Sequence, residues 1–450
     1  SAAGSLLLLA VTEALSLDLS VTPVLWVLPL LLYLLTYVIC FGDPRWADRR
    51  VFGPLGGLAM VGLVVLLHRG YAAHWLTQVG GYGAALFLGC MMVHGELVRA
   101  RPHPAHLTGY YLWSSFGGAL GGLFAAVVAP LIFPLHLELH VAVLLCWALY
   151  AVAWLRERRR HAPFASLSGA RALAVTLGVV LAVGLGADAW RRIRGGAELY
   201  RSFFGVLQVK RYPLPSGRAV VNLLDGRISH GFQYADDDRR REPTAYFVRH
   251  SGVGKVLSRP GPPRHVGVVG LGVGTLAAYC RPGDTFRFYE INPDVERVAR
   301  TRFTFLGDAP GEVEVVIGDG RLSLAAEAPR AYDVLVLDAF SGDAIPTHLL
   351  THEAVSLYLG HLAPGGVLAV NVSNLHADLA RVVRAHAASF GLTVRRVRAK
   401  AKSPLGAYFS DWMLLAREAA TLEGIGEPPE ADTPVVAWTD DHAPLLAILR

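Results

Sequence analysis

Three carboxylates punctuate the second half of the chain: Glu290, Asp319 and Asp338. They close or follow the short apolar runs FRFYE, VEVVIGDG and YDVLVLDAF, where buried strands would end. Ahead of them, the apolar run 266–269 breaks into Gly270-Leu271-Gly272-Val273-Gly274. Glycines at such a turn bring bare backbone close to a ligand, and the N–H groups that follow are free to bind it. A carboxylate about 20 residues after the first glycine is where a βαβ unit holds ribose hydroxyls, the place of Glu290. Asp319 and Gly320, in GDG, suit the edge of a purine base. The full GxGxxG is missing, because Leu276 and Ala277 follow Thr275, so a single nucleoside fits better than a dinucleotide. Asp338 has a plainer reading as a turn cap at a strand end. Its company with two other strand-end acids favours a site.

Such groups need a frame. Strand-like runs alternating with helix-like stretches over 264–420, including one after the glycine loop, predict a parallel doubly wound sheet with its ligand groups at the carboxyl ends of the strands. The turn Pro364-Gly365-Gly366 introduces a further strand, GVLAVNVSN. Before the sheet, 198–250 reads as a small β-domain with a turn at Pro215-Ser216-Gly217. The run from Ala235 through three aspartates to Arg239-Arg240-Arg241 reads as a solvated loop. Residues 423–432, rich in proline and acids, read as a surface linker.

The first half is built differently. Of 36 acidic and 42 basic residues in the 450-residue chain, residues 1–190 hold only 8 and 11. Apolar stretches at 22–41, 51–67, 77–98, 107–133, 137–155 and 171–190, with a shorter one at 5–17, predict six or seven membrane spans. No basic stretch precedes 5–17, so a signal peptide is not expected. Gly117-Gly118, Gly121-Gly122 and Ala125-Ala126 have the spacing that allows close helix contact. Glu13, His94 and Glu96 are ionisable groups in or beside spans and need partners or a purpose. The expected segments are 1–195 (membrane helices), 196–262 (small β-domain), 263–420 (nucleoside-binding α/β domain) and 421–450 (tail). The net charge of +6 divides equally between the halves and makes no case for nucleic acid. Four cysteines without a CxxC exclude a disulfide framework and a cysteine metal site.

The motifs HGELVRARPHPAHLTGYYLWSSFGGALGGLF, FFGVLQV, ISHGFQ, EPTAYF, GLGVGTLAAY, YEINP, DAFSGDAIPTHLLT and WTDDHAPLL run from about 90 to 440. Together they resemble the bacterial membrane-fused spermidine synthase-like proteins, aminopropyltransferases within the wider fold of AdoMet-dependent methyltransferases. The resemblance implies a multi-span helical membrane domain joined to a Rossmann-like α/β domain of the AdoMet-methyltransferase and spermidine synthase type, with the small β-domain between. It implies decarboxylated AdoMet or AdoMet as co-substrate, a small-molecule amine as acceptor, a lipid bilayer as surroundings, and no metal or nucleic acid. It also admits a homodimer. Asp338 matches the first aspartate of the family's DxxD loop, the proton acceptor. Asp343 replaces the second, at a spacing of five rather than three. Gly270, Gly272, Gly274, Glu290, Asp319 and Gly320 would hold the nucleoside. Tyr246 matches the tyrosine of DEFxY, on the cofactor side, while Gln233 and His230 fall where a β-lid faces the site. WTDDHAPLL would lie near it.

Three departures bear on which group is transferred. The aspartate of GGGDG is Val273, the glutamine of LDGxxQ is Ser229, and the carboxylate after the DEFxY tyrosine is missing, with Val248 standing near it. In the family that first aspartate sits beside the cofactor's alkyl chain, attracting an ammonium and repelling a carboxylate; a valine removes the filter. Methyl transfer from AdoMet, and a carrier with a nucleoside-sensing domain, therefore stand beside aminopropyl transfer. Orientation divides two arguments. Loops 42–50, 99–106 and 156–171 hold ten lysines and arginines against four in the alternate loops, which places the second half outside. Supply of a cytoplasmic cofactor places it inside the cytoplasmic membrane, and that is the expectation adopted.

Overall fold

Alanine, leucine, valine and glycine dominate the first 194 residues, and helices follow. A computed structural model describes the chain except for 19–22, 70–73, 162–163, 215–216, 227, 340–346, 375–376, 401–407, 431–432 and 450. It divides into two units, Ser1–Gly196 and Ala197–Arg450.

The first unit is all helix: α1 (Ala2–Asp18), α2 (Pro23–Gly42), α3 (Arg49–Arg69), α4 (Trp75–Arg99), α5 (Leu107–Leu123), α6 (Ala129–Ile132), α7 (Glu138–His161) and α8 (Phe164–Arg194). A π-turn, Phe124–Val128, joins α5 to α6, so the two form one span. Among the described residues, five helical stretches are long and apolar enough to cross a membrane, and two shorter apolar helices stand before them. α1 is flanked by α2, α4, α5 and α7. The glycine face of α5 lies on it: a Cβ at Gly121 would come within 2.3 Å of the Ala2 carbonyl oxygen, a closeness only glycine allows.

Charges sit at the two ends of this bundle, in pairs. At one end Arg49 pairs with Glu96 and Glu157, and Arg99 with Glu96 at 2.9 Å, which ties together the three basic segments of the sequence. At the other end Glu13 meets His136 at 2.6 Å, and Asp188 meets His140 at 3.1 Å and Arg192 at 2.7 Å. His94 is buried between them, 2.8 Å from the Thr36 hydroxyl and tilted over Tyr37.

In the second unit, β1 (Glu198–Ser202), β2 (Gly205–Pro213), β3 (Ala219–Asp225) and β4 (Ile228–Tyr234) form an antiparallel meander. The large sheet has the order β10-β11-β9-β8-β5-β6-β7, from β5 (His265–Val269), β6 (Thr285–Glu290), β7 (Glu312–Ile317), β8 (Tyr332–Leu337), β9 (Leu362–Asn371), β10 (Thr393–Ala399) and β11 (Ser410–Ala416). Helices α9 (Gly252–Leu257), α10 (Pro293–Arg302), α11 (Gly320–Ala326), α12 (His352–Gly360) and α13 (Ala380–Ser389) accompany it.

Three expectations need correction. The sheet is not wholly parallel, because β11 runs antiparallel between β9 and β10. Only residues 400–409 connect β10 to β11, short of the dozen or more that a parallel crossover takes. The segment after the glycine loop is a single 3-10 turn, Thr275–Tyr279, since Pro282 and Gly283 turn the chain straight into β6. The small β-domain and the tail do not stand apart. Leu207, Val209 and Leu223 share one core with Val266 and Phe288, while Trp438 and Ile448 are fully buried against the other face of the sheet.

Candidate nucleoside site

Strands β5 to β9 are parallel, so their carboxyl ends gather on one edge and deliver in turn Gly270, Glu290, Asp319, Asp338 and Asn371. A cavity of about 310 Å³ opens there, within the range usual for small-ligand sites. Gly270, Gly272, Glu290, Asp319, Gly320 and Asp338 line it, so six residues singled out in the sequence come together. The meander supplies the opposite wall with Phe204, Leu207, Asp225 and His230.

The glycine loop is pressed from two sides. Gly270 has φ +100°, and a Cβ there would lie 2.4 Å from the carbonyl oxygen of Asp338. Gly272 has φ +54°, and its Cβ would lie 2.6 Å from the carbonyl oxygen of His230. Any side chain at either position would move an acid or a wall of the cavity.

Each carboxylate has its own setting. Glu290 Oε2 accepts from the Leu271 N–H at 3.0 Å and Oε1 from the Asn292 N–H at 2.9 Å, which locks the side chain across the glycine loop. Burial pushes its pKa above the ordinary value, and these N–H bonds pull only part of the way back. Asp319 caps α11 by accepting from the Leu322 N–H, and its other oxygen meets His348 Nε2 at 2.9 Å. Burial acts upward on its pKa, but those two partners win and hold it below the usual range. Asp338 has a neutral partner, the Asn371 amide, which donates to Oδ1 at 2.6 Å. Burial therefore pushes Asp338 up to about 7, against the pull of that one bond.

Other candidates lie elsewhere. Gly274 starts the 3-10 turn, and its Cβ position faces Leu306 instead of the cavity. Tyr246 is tilted against Phe247; burial, then the Asp338 charge, raises its phenol pKa. Gln233 is a staple: its amide donates to the Arg240 carbonyl and the Thr304 hydroxyl, and its oxygen accepts from the Thr304 N–H at 2.9 Å. These bonds engage both ends of the amide, and Gln233 is not among the residues that line the cavity. Asp343 lies outside the described residues. The WTDDHAPLL tract reaches the site's edge through Asp440, which pairs at 2.6 Å with Arg321, the neighbour of Gly320. Val273, in place of the family aspartate, is 1% exposed and does not line the cavity.

Asn371 was not anticipated. Its one sequence signal is a polar residue ending the strand beside that of Asp338, which adjacency in a parallel sheet makes a neighbour.

The strand order, with an antiparallel strand next to the edge, and the acids at the carboxyl ends of the parallel strands make this a Rossmann-like α/β fold. Over part of its length the chain is similar in sequence to curated transferases. No family model matches it. It is similar to a probable polyamine aminopropyl transferase of Bifidobacterium longum, 32% identical over 109 residues, 24% of this chain and 23% of that protein. It is also similar to a polyamine aminopropyltransferase of Vibrio vulnificus, 33% identical over 144 residues, 31% of this chain and 46% of that one. An N-terminal histidine N-methyltransferase of Emericella nidulans is 36% identical over 109 residues, 23% of this chain and 19% of its own. The chain thus spans less than half the length of each of these relatives. Among solved structures, a probable spermidine synthase from Corynebacterium glutamicum aligns with a TM-score of 0.39 at 17% identity, over 55% of this chain and 99% of its own.

Proposed function

We propose that the chain is a membrane-anchored, spermidine synthase-like transferase that moves an alkyl group from a sulfonium nucleoside to an amine. The observation that carries this is Asp338: a carboxyl at a strand end in the cavity wall, held by a neutral amide, with its pKa near 7. Alkyl transfer from a sulfonium needs an amine held in line, with its lone pair free, and an acceptor for its proton. A carboxylate near 7 is a better match for an ammonium than one near 4. In the step, nitrogen bonds to the carbon, the carbon–sulfur bond breaks, a neutral thioether leaves, and the ammonium proton passes to Asp338. Glu290 would hold the ribose, and Asp319 with Gly320 the base.

Aminopropyl transfer from decarboxylated AdoMet to a polyamine is the first reading, supported by the names of two relatives. Methyl transfer from AdoMet is the second, favoured by the glycine loop 270–274, which brings no carboxylate to the cavity to reject AdoMet. The by-product decides. Methylthioadenosine released from either nucleoside with a diamine shows transfer of the three-carbon chain, and S-adenosylhomocysteine shows methyl transfer. Release of neither, across a panel of amines, rejects the transferase reading.

The lipid bilayer is the proposed setting of the helical unit, with the α/β unit in the cytoplasm, where the cofactor is made. In a cysteine-free background, cysteine at the exposed Ser258 should resist an impermeant thiol reagent in intact cells and react after lysis. Labelling before lysis would reverse the orientation.

A further inference from the structure

Among the described residues, two polar side chains lining the cavity, His230 and Asp225, have no assigned part in the alkyl transfer. His230 lines the cavity from β4, and its Nε2 is buried without a hydrogen-bond partner. The backbone around it is fixed. Its carbonyl lies against Gly272, and the next residue, Gly231 (φ +117°), is so close to the loop that a Cβ would meet Val273 Cγ2 at 2.7 Å. The 230–231 backbone is thus seated on the glycine loop, with the Val273 side chain turned to Gly231. That loop contributes no carboxylate to the cavity. Among the described residues, the polar side chains that the meander gives to the cavity are His230 and Asp225, alongside Phe204 and Leu207. Asp225 is close enough for its charge to act on the imidazole.

With the base and ribose placed at the strand ends, this wall is left for the tail that the sulfonium carries. We propose that it receives the amino-acid end of AdoMet, His230 Nε2 donating to the α-carboxylate and Asp225 accepting from the α-ammonium. The proposal rests on the sulfonium-nucleoside reading and, within it, selects AdoMet over the decarboxylated co-substrate of the first transfer reading. Decarboxylated AdoMet keeps the ammonium and lacks the carboxylate, so it leaves the histidine donor unmatched, which lowers affinity.

Charge gives a second signature. Burial holds His230 below the ordinary imidazole pKa, with Asp225 pulling back upward, so the ring is neutral near pH 7. Among the described residues, the ionisable groups sharing the cavity are Asp225 on β3, Tyr289 and Glu290 at the end of β6, Asp319 after β7, Asp338 after β8, and His348. A carboxylate arriving at Nε2 favours the imidazolium, so AdoMet should bind with uptake of a proton and more tightly as pH falls from about 8 to about 6.

The test is calorimetric titration of the full chain in detergent with AdoMet, decarboxylated AdoMet and methylthioadenosine, in buffers of differing ionisation enthalpy. The wild type should bind AdoMet at least about tenfold more tightly than the decarboxylated form, with proton uptake for AdoMet alone. His230→Ala should lose about tenfold for AdoMet together with the uptake, while methylthioadenosine, which has no amino-acid tail, binds as before. A wild type that prefers the decarboxylated form overturns the proposal. So does a variant that keeps the AdoMet preference, or one that loses all three ligands equally, since that marks a structural role. If the wild type binds none of the three, the nucleoside site itself is wrong, and this assignment falls with it.

Discussion

The acids of the helical bundle and Asp338 of the α/β unit stand in opposite settings, although the α/β unit also holds Asp284 and Asp411 against arginines. In the helical unit Glu96 is held by Arg49 and Arg99, and Asp188 by His140, Arg191 and Arg192. Those carboxylates stand opposite cations, and pairing offsets much of the cost of taking charge out of water. In the α/β unit Asp338 has an amide for company and, among the described residues, no cation. The cost of burial then appears as a raised proton affinity. Paired acids hold a bundle together, whereas an acid left with a neutral partner has the raised proton affinity that the proposed base requires.

The sharpest way to break that contrast is Asp338→Asn. The amide keeps the shape and cannot take the amine's proton, so turnover should fall by about 10²–10⁴-fold while nucleoside affinity changes little. In the wild type the rate should rise with pH through about 7, as Asp338 loses its proton. Stability runs the other way. The folded-state pKa lies above the ordinary 3.8, so the folded protein is favoured below about pH 4 and loses that advantage as pH rises through about 7. The gap corresponds to at most ~4 kcal/mol, so the inactive variant should be the more stable protein above pH 7. Kinetics and thermal unfolding on the same two proteins check both signs. An active variant, or one less stable at high pH, would sink the assignment.

Glu290→Gln is the next largest test. The glutamine can still accept one backbone bond but must turn an NH2 toward the other N–H. Nucleoside affinity should fall by about 10–100-fold, with a smaller change in turnover at saturation, because hydrogen bonds to a charged group contribute ~1.5–3 kcal/mol. Equal losses of binding and turnover in Glu290→Gln and Asp338→Asn would mean that the two acids do not have separate roles.

In the helical unit, Arg49→Gln leaves Glu96 and Glu157 facing one another with less positive charge between them. Arg49 and Glu96 are about 15% exposed, so the loss should be about 1–3 kcal/mol, below that of a fully buried pair. Adding Glu96→Gln should recover part of it. Thermal unfolding in detergent reads this, and an unchanged transition would mean the ion cluster does not hold the helix ends.

Much of this was legible because a parallel sheet writes itself plainly: apolar runs ending in a glycine or an acid gave β5, β6, β7 and β8 and the ligand edge. The helical unit was legible for the same reason, since apolar stretches of span length have few other uses. Side-chain direction was not. Val273 stands in the glycine loop, yet between two glycines of positive φ its side chain turns to Gly231, which spacing alone does not reveal. Gln233 and His230 are three residues apart on one short strand; one is spent on a staple and the other faces the cavity. The antiparallel β11 was missed because DWMLLA carries no mark of direction.

The smallest expected effect comes from the charged run that reads as a solvated loop. Arg240 reaches Asp308 and Asp237, each at 3.0 Å, and its side chain is about a third exposed. Its structural part is its backbone, since the carbonyl accepts from Gln233, and no side-chain change removes that bond. Arg240→Gln should therefore cost only ~0–1 kcal/mol, the usual worth of an exposed pair. Whatever it does cost should shrink toward zero in about 1 M salt, where the screening length is only about 3 Å. The Arg49→Gln effect should persist in the same salt, because that pair is largely shielded from water. Unfolding the two variants at low and high salt measures the difference directly. If Arg240→Gln proved as costly as Arg49→Gln, and equally insensitive to salt, then the loop belongs to the frame of the site, holding the 304–308 turn against the meander.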